Sequence, residues 1–214
     1  MNPRFSVLTT VFDPEPEHLV ACLASVAGQT GPDVEHIVVD DASTRADVRA
    51  VLDELADTAR RTIIRRPENG GIVAASNDAL SAASGEFVVL VDHDDVLAAA
   101  ALATLDAALD DDPDIEVAYT DHDLLRPDCR CTSPVYKPDF SLERLRNHNY
   151  ITHLVVARMT AVRDVGGFRE GLDGAQDHDL LLRLVERGGP VVHVPRILYH
   201  WRQSPRSVAS DPQN

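Results

Sequence analysis

The chain has 214 residues, 44% hydrophobic and 26% charged, with a formal net charge of −15. That length supports one domain with a sizeable core, and the absence of any apolar run of 18 residues leaves no membrane span to expect. So acidic a chain excludes a nucleic-acid coat, which needs a basic surface; divalent cations, and anionic ligands carried in with them, remain suitable partners.

The N-terminus "MNPRFSVLTT" lacks the basic and long apolar regions of a secretory signal. Residues 5–11, "FSVLTTV", predict a β-strand. Asp13 and Pro14 then open a helix with Leu19, Cys22, Leu23 and Val26 on one face, ended by Gly28 and Gly31. A second strand, 35–41, ends in Asp40 and Asp41. A helix over 46–59 turns Val48, Val51, Leu52 and Leu55 to one side, and 62–66 is a third short strand. Asn69-Gly70-Gly71 opens a third helix through about Ala83. A fourth strand, 86–92, precedes the helical "AAAALATLDAAL", and 115–121 is a fifth strand. Strand and helix thus alternate about every 25 residues, the pattern of a parallel sheet with crossover helices.

Beyond that the pattern changes. Residues 122–150 read as polar and irregular, 151–158 as a strand, and "MTAVRDVGGF" as a short helix. Residues 175–189 predict a helix with Leu180, Leu181, Leu184 and Val185 inward, and "PVVHVP" a further strand. The division expected is 1–121 for a nucleotide-binding half, 122–204 for an acceptor half of the same domain, and 205–214 for a loose tail. The chain reads as a domain of a longer protein. Its three cysteines, with no signal peptide, suggest reduced thiols in a cytoplasm. Cys22 falls on an apolar helix face. Cys129-Arg130-Cys131 reads as an ordinary polar loop rather than a metal or redox pair.

Three strands end in acids: Asp40-Asp41, Asp92-His93-Asp94-Asp95 and Asp121-His122-Asp123. Ligands of open α/β sheets bind beyond such ends. Any one group is explained by turn formation or helix capping, but three on one rim repel each other unless a cation joins them. Hard oxygen ligands suit magnesium or manganese. "ENGG" lacks both the G-x-G-x-x-G pattern and the Walker lysine, which argues against a dehydrogenase.

With these segments in order, the chain resembles a family 2 glycosyltransferase of the GT-A fold. The matching stretches are "SVLTTVFDPEPEHLVACLASVAGQT", "IVVDDAST", "ENGGIVAASNDAL", "SGEFVVLVDHDD", "GAQDHDLLLRL" and "LYHWR". "YKPDFS" and "NYITHL" add a resemblance to the bacterial branch that builds surface polysaccharides. The resemblance implies an α/β fold, a Rossmann-like, mostly parallel sheet with a mixed C-terminal region. It implies a UDP-, GDP- or dTDP-sugar donor, a manganese or magnesium ion, and a saccharide or lipid-linked acceptor. The enzyme would be cytoplasmic, at the inner face of the membrane, beside a further domain or membrane-associated partner.

The roles implied are specific. Thr10, Phe12 and Asp13 border the nucleotide base, and Asp41 or Asp40 bonds it. Asn69 and Gly70 approach the donor, with Asp92 and His93 near it. Asp94 is the metal ligand, and Asp95 orients its neighbour or caps the next helix. Asp177 is the catalytic base, His200 reaches the metal or the diphosphate, and Arg202 contacts the diphosphate. Asp121, Asp123, Asn149, His153, Gln176 and Trp201 are acceptor-side candidates, with Trp201 equally suited to core packing. Two departures stand out: Gln176 replaces a common glutamate, and "TTVFD" lacks a common proline. The alternatives are a sugar nucleotidyltransferase, which the acidic loop after the first strand disfavours, and a catalytically silent binding module.

Overall fold

The computed structural model describes residues 2–55 and 60–203; the expected tail at 205–214 and the end of the helix expected to reach 59 lie outside them. Nine strands form one sheet. The parallel part is β3 (Arg61–Arg65), β2 (Val34–Asp40), β1 (Phe5–Val11) and β4 (Phe87–Leu90), in that spatial order. Next to β4 lies β8 (Val155–Arg158), antiparallel to it, then β6 (Val117–Leu125), β9 (Val191–Arg202) and the short β5 (Val96–Leu97). A hairpin strand, β7 (Cys131–Val135), pairs with β6 off this path.

Alternation along the strands divides the core. Leu8 and Val88 point to one cluster, shared with α3 (Gly71–Ala82), α6 (Met159–Asp164) and α7 (Gln176–Val185). Their neighbours Val7, Phe87 and Val89 point to the other, shared with Cys22 and with Leu102 and Leu105 of α4 (Ala101–Asp111). A third cluster joins Leu19 and Leu23 of α1 (Pro16–Ala27) to Val48 and Leu52 of α2 (Ala46–Glu54). Each fully buried leucine contributes about 1.5–3 kcal/mol of transfer free energy. Pro16 starts α1, where its missing N–H costs nothing. The short helix α5 (Leu142–Asn147) is capped by Ser141, whose hydroxyl accepts the Arg144 N–H, and it meets α7 where His178 Nε2 donates to the Leu145 carbonyl.

The second half departs from expectation in four places. Asp121-His122-Asp123 does not end a strand: β6 runs on to Leu125, across the expected division at 121/122. The stretch read as irregular contains β7 and α5. The strand expected from 151 begins at Val155. The strand expected to stop near Pro195 continues through "LYHWR" to Arg202, because β6 on one side and β5 on the other keep it hydrogen-bonded.

Candidate active site

The carboxyl ends of β1 and β4 open onto a cleft. Its floor is apolar, from Leu8, Val88, Leu90, Val155 and the α7 leucines 180, 181 and 184. Its polar wall is Thr10, Asp92, Thr152, His153, Gln176 and Asp177. Five residues from four distant sequence segments (Thr10, Asp92, His153, Gln176 and Asp177) are therefore brought to one surface, as the strand-end rule expects.

Asp177 lies in the first turn of α7, where the helix N-terminus favours negative charge. Even so, its carboxyl is pushed up to about 6. Burial among the apolar floor is the largest cause; the His153 charge opposes it and Asp92 reinforces it. His153 Nε2 stands 3.4 Å from Asp92 Oδ2. Its ring is stacked on Tyr199 at 4.9 Å and 15° and meets Trp201 edge-on. Gln176 Oε1 accepts the Gly174 N–H at 2.6 Å, which fixes the turn before Asp177.

The turn after β4 is locked by its last member. Asp95 is fully buried; Tyr199 Oη donates to one oxygen at 2.5 Å and the Arg202 N–H to the other at 2.6 Å. Burial, then the charges of Asp92 and Asp94, hold its carboxyl far above the usual range. It caps no helix, since α4 begins at Ala101 without a side-chain cap. Arg202 Nε donates to the Asp94 carbonyl at 2.6 Å. The Asp94 carboxylate itself takes no hydrogen bond or ion pair from the described residues, and its charge acts on His18 against that of Arg202. His93 Nδ1 donates to the Thr10 carbonyl at 3.0 Å, tying this turn to the end of β1.

Other predicted residues are already engaged. The Asp41 carboxylate is buried and accepts from Arg66 Nη1 at 2.5 Å, Gly70 N at 3.0 Å and Gly71 N at 2.9 Å. Gly71 sits at φ +83°, which favours glycine there. Asn69 Nδ2 donates to the Asp41 carbonyl, and Asp40 accepts the Ser43 N–H. The Asp13 carboxylate accepts the N–H groups of Thr44 and Arg45 and so joins the loops after β1 and β2; Phe12 stays exposed beside it. Asn149 Oδ1 accepts the Thr152 N–H. Trp201 packs edge-on to both His122 and His153.

Two acceptor-side expectations are corrected. Asp121 is buried inside β6, accepting from Lys137 N at 2.9 Å and His193 Nε2 at 2.8 Å, and it does not line the cleft. Asp123 is likewise inside the sheet, paired with His200 Nδ1 at 2.6 Å. The reason is the continuation of β6, which turns a supposed loop into a ladder. His200 and the 92–95 turn meet at one corner, since Val96 and His200 are register partners. The His200 imidazole, however, points to Asp123 and Cys131, whereas Tyr199 points oppositely, to Asp95 and His153.

Sequence reasoning missed Lys137 and Tyr199. Lys137 is buried, and its Nζ donates to the Thr120 carbonyl at 2.5 Å and to the His153 carbonyl. Burial pulls its pKa down to about 7, with Asp121 opposing. No sequence signal sets that lysine apart. Tyr199 would have been found by reading "LYHWR" as a strand, in which it alternates with His200.

The residues present fit a hard divalent ion: Asp94 is unpaired among the described residues, and Asp92, Asp95 and His153 offer ligand atoms within 4.8 Å of one another.

Comparison with known proteins accords with this geometry. A family model described as glycosyl transferase family 2 matches residues 6–129. An uncharacterised protein, y4gI, of Sinorhizobium fredii is 39% identical over 98% of this chain, and the O-antigen biosynthesis protein RfbC of Myxococcus xanthus is 37% identical over 98%. The chain spans only 23% and 16% of those two relatives. Among solved structures, S. aureus TarS 1–349 in complex with UDP-GlcNAc superposes with TM-score 0.79 at 23% identity, covering 97% of this chain and 61% of that one. The mannosyltransferase PcManGT of Pyrobaculum calidifontis, in complex with GDP-Man and Mn2+, gives 0.71 at 21%, covering 97% and 59%. The structural likenesses show the GT-A fold, and with the family match over most of the parallel half, the chain belongs to glycosyl transferase family 2.

Proposed function

We propose that the cleft binds a nucleoside-diphosphate sugar and transfers the sugar, with inversion at the anomeric carbon, to a hydroxyl of a saccharide or lipid-linked saccharide in cell-surface polysaccharide synthesis. The observation that carries the reading is Asp177: a carboxyl pushed up to about 6, on the wall of a cleft at the strand ends. A hydroxyl is a weak nucleophile, and a base whose pKa lies near the working pH removes its proton most effectively. Asp177 takes that proton as the oxygen attacks from the face opposite the leaving diphosphate. His153, 3.4 Å from Asp92, opposes the effect of Asp92 on Asp177.

On the donor side, Thr10 and Phe12 border the base, beside the Asp13 staple. Asp40 remains the better base contact, because Asp41 already serves Arg66 and the start of α3. Arg202 stands beside Asp94, suited to the diphosphate. A manganese or magnesium ion held by Asp94 would neutralise charge on the leaving group; His200, turned to Asp123 and Cys131, is not among its ligands. The TarS complex with UDP-GlcNAc and the PcManGT complex with GDP-Man and Mn2+ support a donor of this class. No helix among the described residues is long and apolar enough to cross a membrane; we place the domain at the cytoplasmic face, joined to the rest of a longer chain.

The test is direct. The protein is incubated with UDP-, GDP- and dTDP-sugars, manganese and oligosaccharide acceptors, with and without EDTA. Nucleoside diphosphate release that EDTA abolishes is expected. Pyrophosphate release instead would identify a nucleotidyltransferase, and tight donor binding without turnover a silent module; either ends the reading.

A further inference from the structure

A second group of ligand atoms stands outside the cleft. Asp123, Cys131 and His200 each offer an atom within 4.8 Å of the other two, and none of the three lines the cleft. The sheet itself assembles them. Asp123 and His200 are register partners in the parallel β6–β9 ladder, and Cys131 pairs with Leu125 on the other side of β6. His200 Nδ1 is 2.6 Å from Asp123 Oδ1 and 3.4 Å from Cys131 Sγ. Asp123 is buried, His200 is half-buried and Cys131 is exposed, so two ligands are fixed while the third faces solvent. Among the described residues no lysine or arginine pairs with Asp123; the nearby Arg130 is held by Asp128.

We propose that Asp123, Cys131 and His200 form a binding site for a thiophilic divalent cation of the zinc class. The donor set decides the class. Magnesium and calcium take oxygen ligands, whereas a thiolate with an imidazole and one carboxylate suits zinc or cobalt, with a fourth position left to water. The spacing agrees. Bonds of about 2.0–2.3 Å in a tetrahedron put ligand atoms roughly 3.3–3.8 Å apart. The Sγ–Nδ1 separation of 3.4 Å is already in that range. The Nδ1–Oδ1 separation of 2.6 Å is that of a shared proton and opens by about 0.7 Å when an ion replaces it. The thiol proton leaves to solvent, and the imidazole proton moves to Nε2.

Cobalt is titrated into the reduced full chain and the thiolate-to-cobalt charge-transfer absorption is followed, then zinc is added to displace it. The wild type and Cys129→Ser should saturate at one equivalent and lose the band to zinc. Cys131→Ser should show no band; as Cys131 is exposed, that change leaves the fold alone. His200→Ala and Asp123→Asn should each weaken binding by about tenfold or more. A wild type without the band, a band that survives in Cys131→Ser, or an affinity unchanged in both His200→Ala and Asp123→Asn overturns the proposal. Where Asp123→Asn fails to fold, His200→Ala and Cys131→Ser decide alone. None of these readouts depends on sugar transfer.

Discussion

Asp41 lies at the start of α3 and Asp177 at the start of α7, and their surroundings are opposite. Asp41 is buried among fixed donors: a guanidinium and two backbone N–H groups fill its oxygens. Asp177 faces an apolar floor and another carboxylate, and its protonation is displaced accordingly. A carboxylate saturated by the fold stabilises the fold. One left short of donors, on the wall of a cleft, holds free energy that a ligand or a proton can release.

Four measurements press on that contrast. Replacing Asp177 with Asn should lower turnover about 10²–10⁴-fold while donor affinity stays the same, the loss expected for a missing general base; normal turnover would remove Asp177 from the chemistry. Asp41→Ala should act on stability instead, costing about 3 kcal/mol by leaving Arg66 and two amides unpaired, as read from denaturant unfolding. Asp177→Asn should move stability the other way at pH 7. The folded pKa of Asp177 is raised from 3.8 to about 6, so its contribution is fully present below pH 4 and is lost as pH rises to about 6. The variant escapes that loss and should gain about 1–3 kcal/mol at neutral pH, with no gain at pH 4. The smallest effect concerns the acid limb of the kcat profile. Asp92 raises the Asp177 pKa, so Asp92→Asn should move that limb to lower pH; a limb that does not move would mean another group titrates there.

A fifth test concerns Lys137. Its folded pKa of about 7 lies below the ordinary 10.5, so wild-type stability should climb between those values as the unfolded chain alone still binds the proton. Lys137→Met should flatten that slope in thermal melts.

How much of this was legible varied along the chain. Through residue 121 the sequence periodicity located each main strand and helix, because strands such as "HIVVD" are covered on both faces and leave an unbroken apolar signature. The predicted carboxylates 92 and 177 and the cleft histidine 153 did come together. The second half was harder for physical reasons. β7 is largely exposed and carries Pro134, so it shows no apolar alternation. α5 is a six-residue helix with one buried leucine, too short for a period to emerge. Asp121 and Asp123 look like turn formers, and only their partners, Lys137, His193 and His200, turn them into strand residues. The pairing of Cys131 with His200 joins positions 69 apart and rests on sheet register, which local sequence does not encode.

The length of β9 carries a consequence for variation in homologous chains. Tyr199 and His200 serve opposite faces of one strand, so deleting or inserting a single residue between Leu198 and Arg202 would exchange them. The phenol would leave Asp95 stranded in the interior, and the imidazole would be thrown to the wrong side. Side-chain replacements there should therefore be survivable one at a time, while indels should be purged and collect instead in the exposed bend at 126–130.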